Sequence, residues 1–285
     1  MTGPAHGEPA GMSDRRGMLT EEMSGRASSP VLVGRDEQMA ALEAAFDNVR
    51  QGGPAAVLLG GEAGVGKSRL VSEFGQAASA AGARVLTGGC LELGTDGLPF
   101  APFTTVLRGL VHEMGADAVA SMLPGRTTRG LARLLPELGE PDTSGEPGEA
   151  RARLFEEVLS ALEHLTRHSP VVLVIEDAHW ADRSSRDLLT FLIGNQRVMS
   201  GLLIVVTFRS DELHRTHPLR PMLATLDRIA WVERIELPRL TRHDTAELAV
   251  RILGREPADQ LADALYRRSE GNPCSSRPCW AVTAS

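Results

Sequence analysis

One lysine in this sequence has the surroundings of a phosphate-binding residue. Lys and Arg together number 30, and Lys67 is the only lysine among them. It belongs to the octapeptide 61–68, GEAGVGKS, which matches the phosphate-binding loop pattern G-x-x-x-x-G-K-[ST] in full. Such a loop wraps a phosphate so tightly that a compact ammonium on a flexible stem fits, whereas the broad guanidinium of arginine does not. These residue types at this spacing predict binding of a nucleoside triphosphate.

The segments on either side of the loop predict a strand before it and a helix after it. Residues 55–59 form a short apolar run of the buried-strand type, and residues 70–74 repeat apolar side chains at helical spacing. Glycines let the backbone turn its N–H groups inward, and the helix N-terminus adds the positive end of its dipole. We expect Lys67 to neutralise the β- and γ-phosphates and the Ser68 hydroxyl to ligate Mg²⁺.

Paired acids follow a second apolar run, residues 171–175. A Mg²⁺ ion beside a γ-phosphate needs a carboxylate held at the carboxyl end of a strand. Adjacent strand residues point oppositely, so we assign Glu176 to Mg²⁺, through water, and Asp177 to orienting the attacking water. The alternative is an acidic helix cap after a buried strand. Two later residues, His179 and Asp182, form either a solvated turn and a helix cap or part of the site.

A third apolar run, residues 202–207, ends beside a cation. In a parallel sheet, ligands bind beyond the carboxyl ends of the strands, so Thr207 and Arg209 should emerge on the same rim as the phosphates. A cation at that rim can sense the γ-phosphate and change its contacts on hydrolysis. The alternative is that Arg209 pairs with a neighbouring surface acid, Asp211 or Glu212.

The remaining patterns complete an α/β protein. Strands are expected at residues 84–87 and 231–237, and the alternating pattern of the latter indicates an edge strand. A helix is expected around residues 150–167 after a surface loop at 140–149. Strands alternating with helices predict a three-layer α/β fold around a parallel sheet, as in P-loop NTPases. We divide the chain into a disordered leader (1–30), a P-loop ATPase core (31–237), the start of a helical lid (238–273) and a tail (274–285).

Composition restricts the partners. At a net charge of −7, nothing in the charge balance suggests a nucleic-acid partner. No apolar run approaches the roughly 18 residues of a membrane span, and the N-terminus has no apolar signal core, so we expect a cytoplasmic protein. The three cysteines, Cys90, Cys274 and Cys279, have no metal or disulfide spacing and are expected to be reduced thiols.

The order of the motifs resembles the ATPase domain of large ATP-binding LuxR-type (LAL, MalT-like) transcriptional regulators, in the STAND branch of AAA-related ATPases. The motifs that carry the resemblance are residues 32–36 (LVGRD), the phosphate loop, 176–182 (EDAHWAD), 207–209 (TFR) and 271–273 (GNP). It covers residues 31–273. It implies that Gly34 and Arg35 border the adenine, that Arg209 is a sensor arginine and that Pro273 marks a lid touching the nucleotide. Glu176 departs from the family, which usually carries Asp there.

The expected ligands are ATP or ADP with Mg²⁺, and the expected function is an ATP-binding regulatory switch with slow hydrolysis at most. The chain should bind neither nucleic acid nor membrane directly and should self-associate. One alternative is a ring-forming AAA-type motor or loader that takes an arginine finger from Arg183, Arg186 or Arg197, and another is a non-hydrolysing ATP-binding scaffold. The residues expected to contact the nucleotide are Gly34, Arg35, Gly61, Glu62, Ala63, Gly64, Val65, Gly66, Lys67, Ser68, Arg69, Thr207 and Pro273.

The last twelve residues fit neither helical nor strand periodicity. GC-rich codons for residues 273–280, read in another frame, encode a Leu-rich amphipathic helix of the kind expected after the GNP motif. We therefore hypothesise a frameshift that replaces the rest of the lid and the DNA-binding domain. An apolar face left without those helices is the reason to expect self-association.

Overall fold

A computed structural model describes residues 32–92, 98–141, 146–255 and 259–273, and the expected leader (1–30) and tail (274–285) lie outside them. In the described part, five parallel strands form one sheet in the order β2-β3-β4-β1-β5. The strands are β1 (Ala55–Gly60), β2 (Arg84–Gly89), β3 (Val171–Glu176), β4 (Leu202–Thr207) and β5 (Val232–Glu236). The predicted α/β class with a parallel sheet is confirmed.

Burial along the strands explains the sequence patterns. β1 and β4 lie inside the sheet and are buried at every residue, as a strand covered on both faces must be. β5 pairs only with β1 within the described sheet, and its residues are mostly exposed apart from Ile235. The prediction of an edge strand there is confirmed. The expected strand at 84–87 continues two residues further, through Gly89.

Helices cover both faces of the sheet. On one face, Phe46 and Phe74 meet edge to face at 6.1 Å and pack with Val57 and Leu59. The other face packs alternate strand residues such as Leu58 against a larger group of helices, which gives three layers. The helices are α1 (Asp36–Arg50), α2 (Lys67–Ala80), α3 (Ala101–Met114), α4 (Ala116–Ser121), α5 (Pro147–Thr166), α6 (Arg183–Asn195), α7 (Leu219–Leu226), α8 (Arg242–Leu253) and α9 (Asp259–Ser269).

Helix α5 begins earlier than the sequence pattern suggested. The surface loop was expected to reach residue 149, but the helix already starts at Pro147, so the end of that prediction is wrong. Proline is favoured at the first helical position because its fixed φ suits the helix and its missing N–H would have had no intrahelical partner. Among the described helices, none is long and apolar enough to cross a membrane.

The last two helices form a small pair attached to the end of the sheet. Helix α8 starts with a capping box between Thr241 and Asp244. After α9 the chain returns to Leu240, whose N–H donates to the Gly271 carbonyl at 2.8 Å. Gly271 has φ 77°, and a Cβ there would lie 2.1 Å from the Leu240 carbonyl oxygen, so only glycine fits. This return brings residues 272 and 273 to the sheet edge that carries the phosphate loop.

Candidate functional site

The loop between β1 and α2 has the backbone conformation of a phosphate cradle. Gly61, Gly64 and Gly66 all have positive φ, in the region open to glycine. Gly66, at φ 110° and ψ 16°, is the N-cap of α2 and turns the chain directly into the helix. The first turn of α2 therefore directs its free N–H groups and the positive end of its dipole toward the loop. The predicted strand, loop and helix are confirmed.

Lys67 lies across this loop and is almost fully buried. Its Nζ donates to the carbonyls of Gly61 at 2.7 Å and Glu62 at 2.8 Å, and 7% of the residue is exposed. Burial lowers the pKa of Lys67, and the negative charge of Asp177 opposes that shift. A buried cation whose partners are neutral carbonyls gains most from a nearby anion. The neighbouring Arg69, also predicted to contact the nucleotide, pairs with Glu73 on α2 at 2.7 Å.

The two acids end β3 in different backbone states. Glu176 is the last strand residue, and its carbonyl accepts the Cys90 N–H at 2.9 Å. Asp177 has φ 55°, a left-handed conformation that costs energy for a residue other than glycine. The hydroxyl of Thr207, a buried residue, accepts the Asp177 N–H at 3.0 Å and fixes this turn. Burial, with the charges of nearby carboxylates, raises the pKa of the Cys90 thiol to about 12.

The structure answers the open question about Asp182 and His179. Asp182 is the N-cap of α6: its Oδ1 accepts the N–H groups of Ser184 at 2.7 Å and Ser185 at 3.1 Å. His179 is not in a solvated turn, because its side chain has no exposed surface. Its Nδ1 lies 3.9 Å from Asp177 Oδ1, so the imidazole packs directly behind the site.

Arg209 forms the alternative pair that the sequence left open. Its Nη1 donates to Glu212 Oε1 at 2.5 Å, and the guanidinium lies 4.7 Å from the centroid of the Trp180 ring. Burial lowers the pKa of Arg209, but the hydrogen bond and charge of Glu212 outweigh that effect and raise it. The other candidate partner, Asp211, instead accepts the N–H of Ala63 in the phosphate loop at 3.4 Å.

Arg35 supports the phosphate loop from behind. It is 3% exposed, and its Nη2 donates to the Val65 carbonyl at 3.1 Å. Burial lowers its pKa, and the charge of Asp244 opposes that shift. Beside it lies an open cleft of about 220 Å³ whose lining includes Gly34, Thr241 and Asp244. Its lining includes Gly34 and Arg35, the two residues that the resemblance predicts to border the adenine.

Two further contacts to the loop were missed by sequence reasoning. Asn272, next to Pro273, donates from Nδ2 to the Ala63 carbonyl at 2.8 Å. Arg239 bridges the Glu62 carboxylate at 2.8 Å and the Glu270 carboxylate at 2.6 Å. The GNP motif pointed to the first contact only through the resemblance, and nothing in the sequence around Arg239 pointed to the second. The phosphate loop is thus tied to the helical pair α8–α9.

The donors at the loop suit a hard cation. A hydroxyl from Ser68 and a carboxylate from Glu176 are oxygen ligands of the kind that Mg²⁺ takes when it completes its shell with phosphate oxygens and water. Within the described ranges, no group of three or more His, Cys, Asp or Glu side chains could hold a metal ion.

Known proteins resemble this chain in sequence and in fold. A family model of the AAA ATPase domain matches residues 31–206. An uncharacterized protein of Rhizobium meliloti (strain 1021) is 31% identical over 223 residues, which cover 71% of this chain and 21% of that protein. The Walker-type ATPase paby2304 of Pyrococcus abyssi superposes with a TM-score of 0.53 at 16% identity, covering 85% of this chain and 65% of that one.

A weaker structural match is a Signal Transduction ATPase with Numerous Domains (STAND) protein with a tetratricopeptide repeat sensor, from Pyrococcus horikoshii. Its TM-score is 0.49 at 18% identity, and the match covers 86% of this chain and 29% of that one. The chain thus spans less than two thirds of the length of each of these three relatives. The likeness to the Pyrococcus abyssi protein shows the fold of a Walker-type ATPase.

Proposed function

Because this chain belongs to the AAA ATPase domain family, we propose that it binds ATP with Mg²⁺ at the loop of residues 61–68 and acts as a nucleotide-controlled switch. The observation that carries the proposal is the only lysine of the chain, buried at the N-terminus of α2 with its ammonium on the loop carbonyls of Gly61 and Glu62. ATP supplies the anion that this cation and the free N–H groups of α2 favour.

The acids at the end of β3 support slow hydrolysis. Mg²⁺, when bound, would be held by Ser68 and Glu176 and would neutralise phosphate charge. Asp177 orients the attacking water and accepts its proton, because its left-handed backbone and its bond to Thr207 hold the carboxylate at the strand end. The negative charge of the Asp177 carboxylate also opposes the lowering of the Lys67 pKa by burial. Both groups therefore act on the same bound phosphate.

The adenine cleft and the helical pair α8–α9 complete the proposed switch. The cleft beside Gly34 and Arg35 is open enough to accept an adenine, and Pro273 follows the residue that bonds the loop at Ala63. A nucleotide bound at the phosphate loop changes the position of the Ala63 carbonyl and therefore its hydrogen bond with Asn272. ATP and ADP then favour different positions of the helical pair, since a ligand shifts an equilibrium only by its differential affinity for the two states.

We further propose that the switch belongs to a LuxR-type, LAL-like transcriptional regulator. The order of the motifs LVGRD, GEAGVGKS, EDAHWAD, TFR and GNP supports this assignment. The acidic net charge of −7 supports DNA contact through another part of such a regulator rather than through this domain. A gel-shift assay with the purified chain tests whether this domain lacks DNA binding of its own, and sequence-specific retention of DNA would contradict that expectation.

A ring-forming ATPase is the second candidate. Such an ATPase requires an arginine finger that reaches the nucleotide of a neighbouring subunit, and one exposed arginine of this chain could serve as that finger. Arg183, at the start of α6, has a side chain 87% exposed and could reach a neighbouring subunit. Its contact within the chain is a long one, 3.8 Å from Nε to Asp187 Oδ2. The other two candidates are held more closely: Arg186 donates to the Ala181 carbonyl, and the Arg197 guanidinium lies 5.4 Å from the Trp231 ring centroid. ATP-dependent ring formation with turnover abolished by Arg183→Ala would favour this function over the switch.

Nucleotide binding by variants of Lys67 tests the proposed function. Lys67→Ala removes a charge-assisted bond worth about 1.5–3 kcal/mol, so the Kd for Mg-ATP should rise about tenfold or more. Lys67→Arg should also bind poorly, because the guanidinium is too broad for the loop. Arg84→Ala, which removes a surface cation paired with Glu113, is the control and should bind as the wild type does. Isothermal titration calorimetry provides the measurement, and unchanged affinity in Lys67→Ala would refute the assignment.

A further inference from the structure

Arg209 and Glu212 form an ion pair at the edge of the nucleotide site. Their side chains are 28% and 38% exposed, and Nη1 and Oε1 are 2.5 Å apart. The Trp180 ring lies against the guanidinium at 4.7 Å, which restricts the arginine further. Arg209 is nevertheless close enough to the phosphate-binding lysine, Lys67, to lower its pKa. The cation predicted to meet the γ-phosphate therefore already has an anionic partner.

The second oxygen of Glu212 lies beside a buried imidazole, that of His179. His179 Nδ1 accepts the Arg209 backbone N–H at 3.4 Å, so the proton of the neutral imidazole is on Nε2. That Nε2 lies 3.4 Å from Glu212 Oε2 and, within the described chain, has no hydrogen bond of good geometry. The imidazole packs on Trp180 with ring centroids 4.5 Å apart and cannot turn to solvent. Both oxygens of Glu212 thus face groups of the site.

We propose that Glu212 sets the preference of this site for ATP over ADP by competing with the γ-phosphate for Arg209. The inference rests on the proposed function, because it requires that nucleotide binds at the phosphate loop. Only ATP carries the phosphate that can replace Glu212 as the partner of Arg209. Breaking the ion pair is a cost that ATP bears and ADP does not, so the pair lowers ATP affinity selectively. Glu212 is a specificity-determining residue and does not itself touch the reacting atoms.

The variant Glu212→Gln tests this role. It keeps the size of the side chain and removes the charge that competes for Arg209. The Kd for Mg-ATP should fall about two- to fivefold, the range expected for a partly exposed ion pair, and the Kd for Mg-ADP should not change. In an Arg209→Ala background the same substitution should have no effect on ATP, because the contested cation is gone. The matched control is Asp227→Asn, which removes the carboxylate of another half-exposed ion pair, the one with Arg234. This variant should leave the Kd values for Mg-ATP and Mg-ADP unchanged.

Three results would overturn the inference while leaving ATP binding by the wild type intact. These are weaker ATP binding by Glu212→Gln, equal changes in the ATP and ADP constants, and an ATP gain that persists without Arg209. Equal changes include the case in which neither Kd changes, because the ratio of the Kd for Mg-ATP to the Kd for Mg-ADP then stays the same. If the wild-type chain binds neither nucleotide in the same titration, the proposed function itself fails and this inference fails with it. Calorimetry on the four proteins and the wild type separates these outcomes.

Discussion

The two acids that end β3 can be separated by single substitutions. If Asp177 orients the attacking water, Asp177→Asn keeps Mg-ATP binding and loses turnover, because an amide cannot accept the proton. Glu176→Gln should instead weaken binding that depends on Mg²⁺, while binding measured with EDTA stays the same. Titration calorimetry and single-turnover hydrolysis measure the two effects. Exchanged phenotypes would mean that the roles are reversed.

At the scale of single residues, the sequence predicts groups whose role depends on a local pattern. Lys67 could be identified because the loop around it is contiguous. Arg209 could not be assigned, since the choice between a γ-phosphate sensor and a pair with Glu212 depends on the rotamer and on Trp180. Arg239 lacked any sequence signal, because its two partners are 177 and 31 residues away in the chain. Contacts between distant segments are not visible in local spacing.

At the scale of elements, the N-cap of α6 allows a quantitative prediction. Asp182 accepts two helix N–H groups and also the Phe100 N–H at 3.2 Å, so it joins α6 to the start of α3. Asp182→Ala should lower the free energy of unfolding by about 1–2 kcal/mol. Asp182→Asn retains an acceptor and should cost less. Urea denaturation measures both. Asp187→Ala, on the exposed side of the same helix, is the control and should cost less than about 1 kcal/mol.

Element types follow from the sequence more reliably than element ends. The runs at 171–175 and 202–206 are apolar throughout because helices cover both faces, and both strands occur where predicted. The ends differ where a local rule was overlooked. Pro147 begins α5 because proline suits the first helical position, and β2 reaches Gly89 because its ladder with β3 continues to Glu176. Neither extension changes the apolar periodicity from which the elements were predicted.

At the scale of the whole molecule, strand order decides which residues meet. The alternation of strands and helices predicts a parallel sheet with a ligand at its carboxyl edge, but it does not specify the order β2-β3-β4-β1-β5. That order places β4 between β1 and β3, so Thr207 lies between the phosphate loop and Asp177. Residues separated by more than a hundred positions thereby lie at one end of the sheet.

The helical pair α8–α9 should report nucleotide occupancy through its contacts with the phosphate loop. Asn272 bonds the Ala63 carbonyl, and Arg239 joins Glu62 of the loop to Glu270 at the end of α9. Sites joined in this way are coupled reciprocally: if bound nucleotide changes the stability of the pair, the pair changes nucleotide affinity by the same factor. Local opening of the pair is then the quantity to measure.

Hydrogen exchange of α8 and α9 provides that measurement. Asn272→Ala removes one partly buried hydrogen bond, worth about 1 kcal/mol. Amides of the pair should therefore exchange about fivefold faster, while amides of β1 and β4 keep their protection. Saturating Mg-ATP should change the protection of the pair in the wild type and have a smaller effect in this variant. Glu247→Ala, which removes an exposed pair with Arg251 within α8, is the control and should leave the response to ATP intact. Equal responses to ATP in wild type and Asn272→Ala would show that the contact at Ala63 does not transmit nucleotide occupancy to the helical pair.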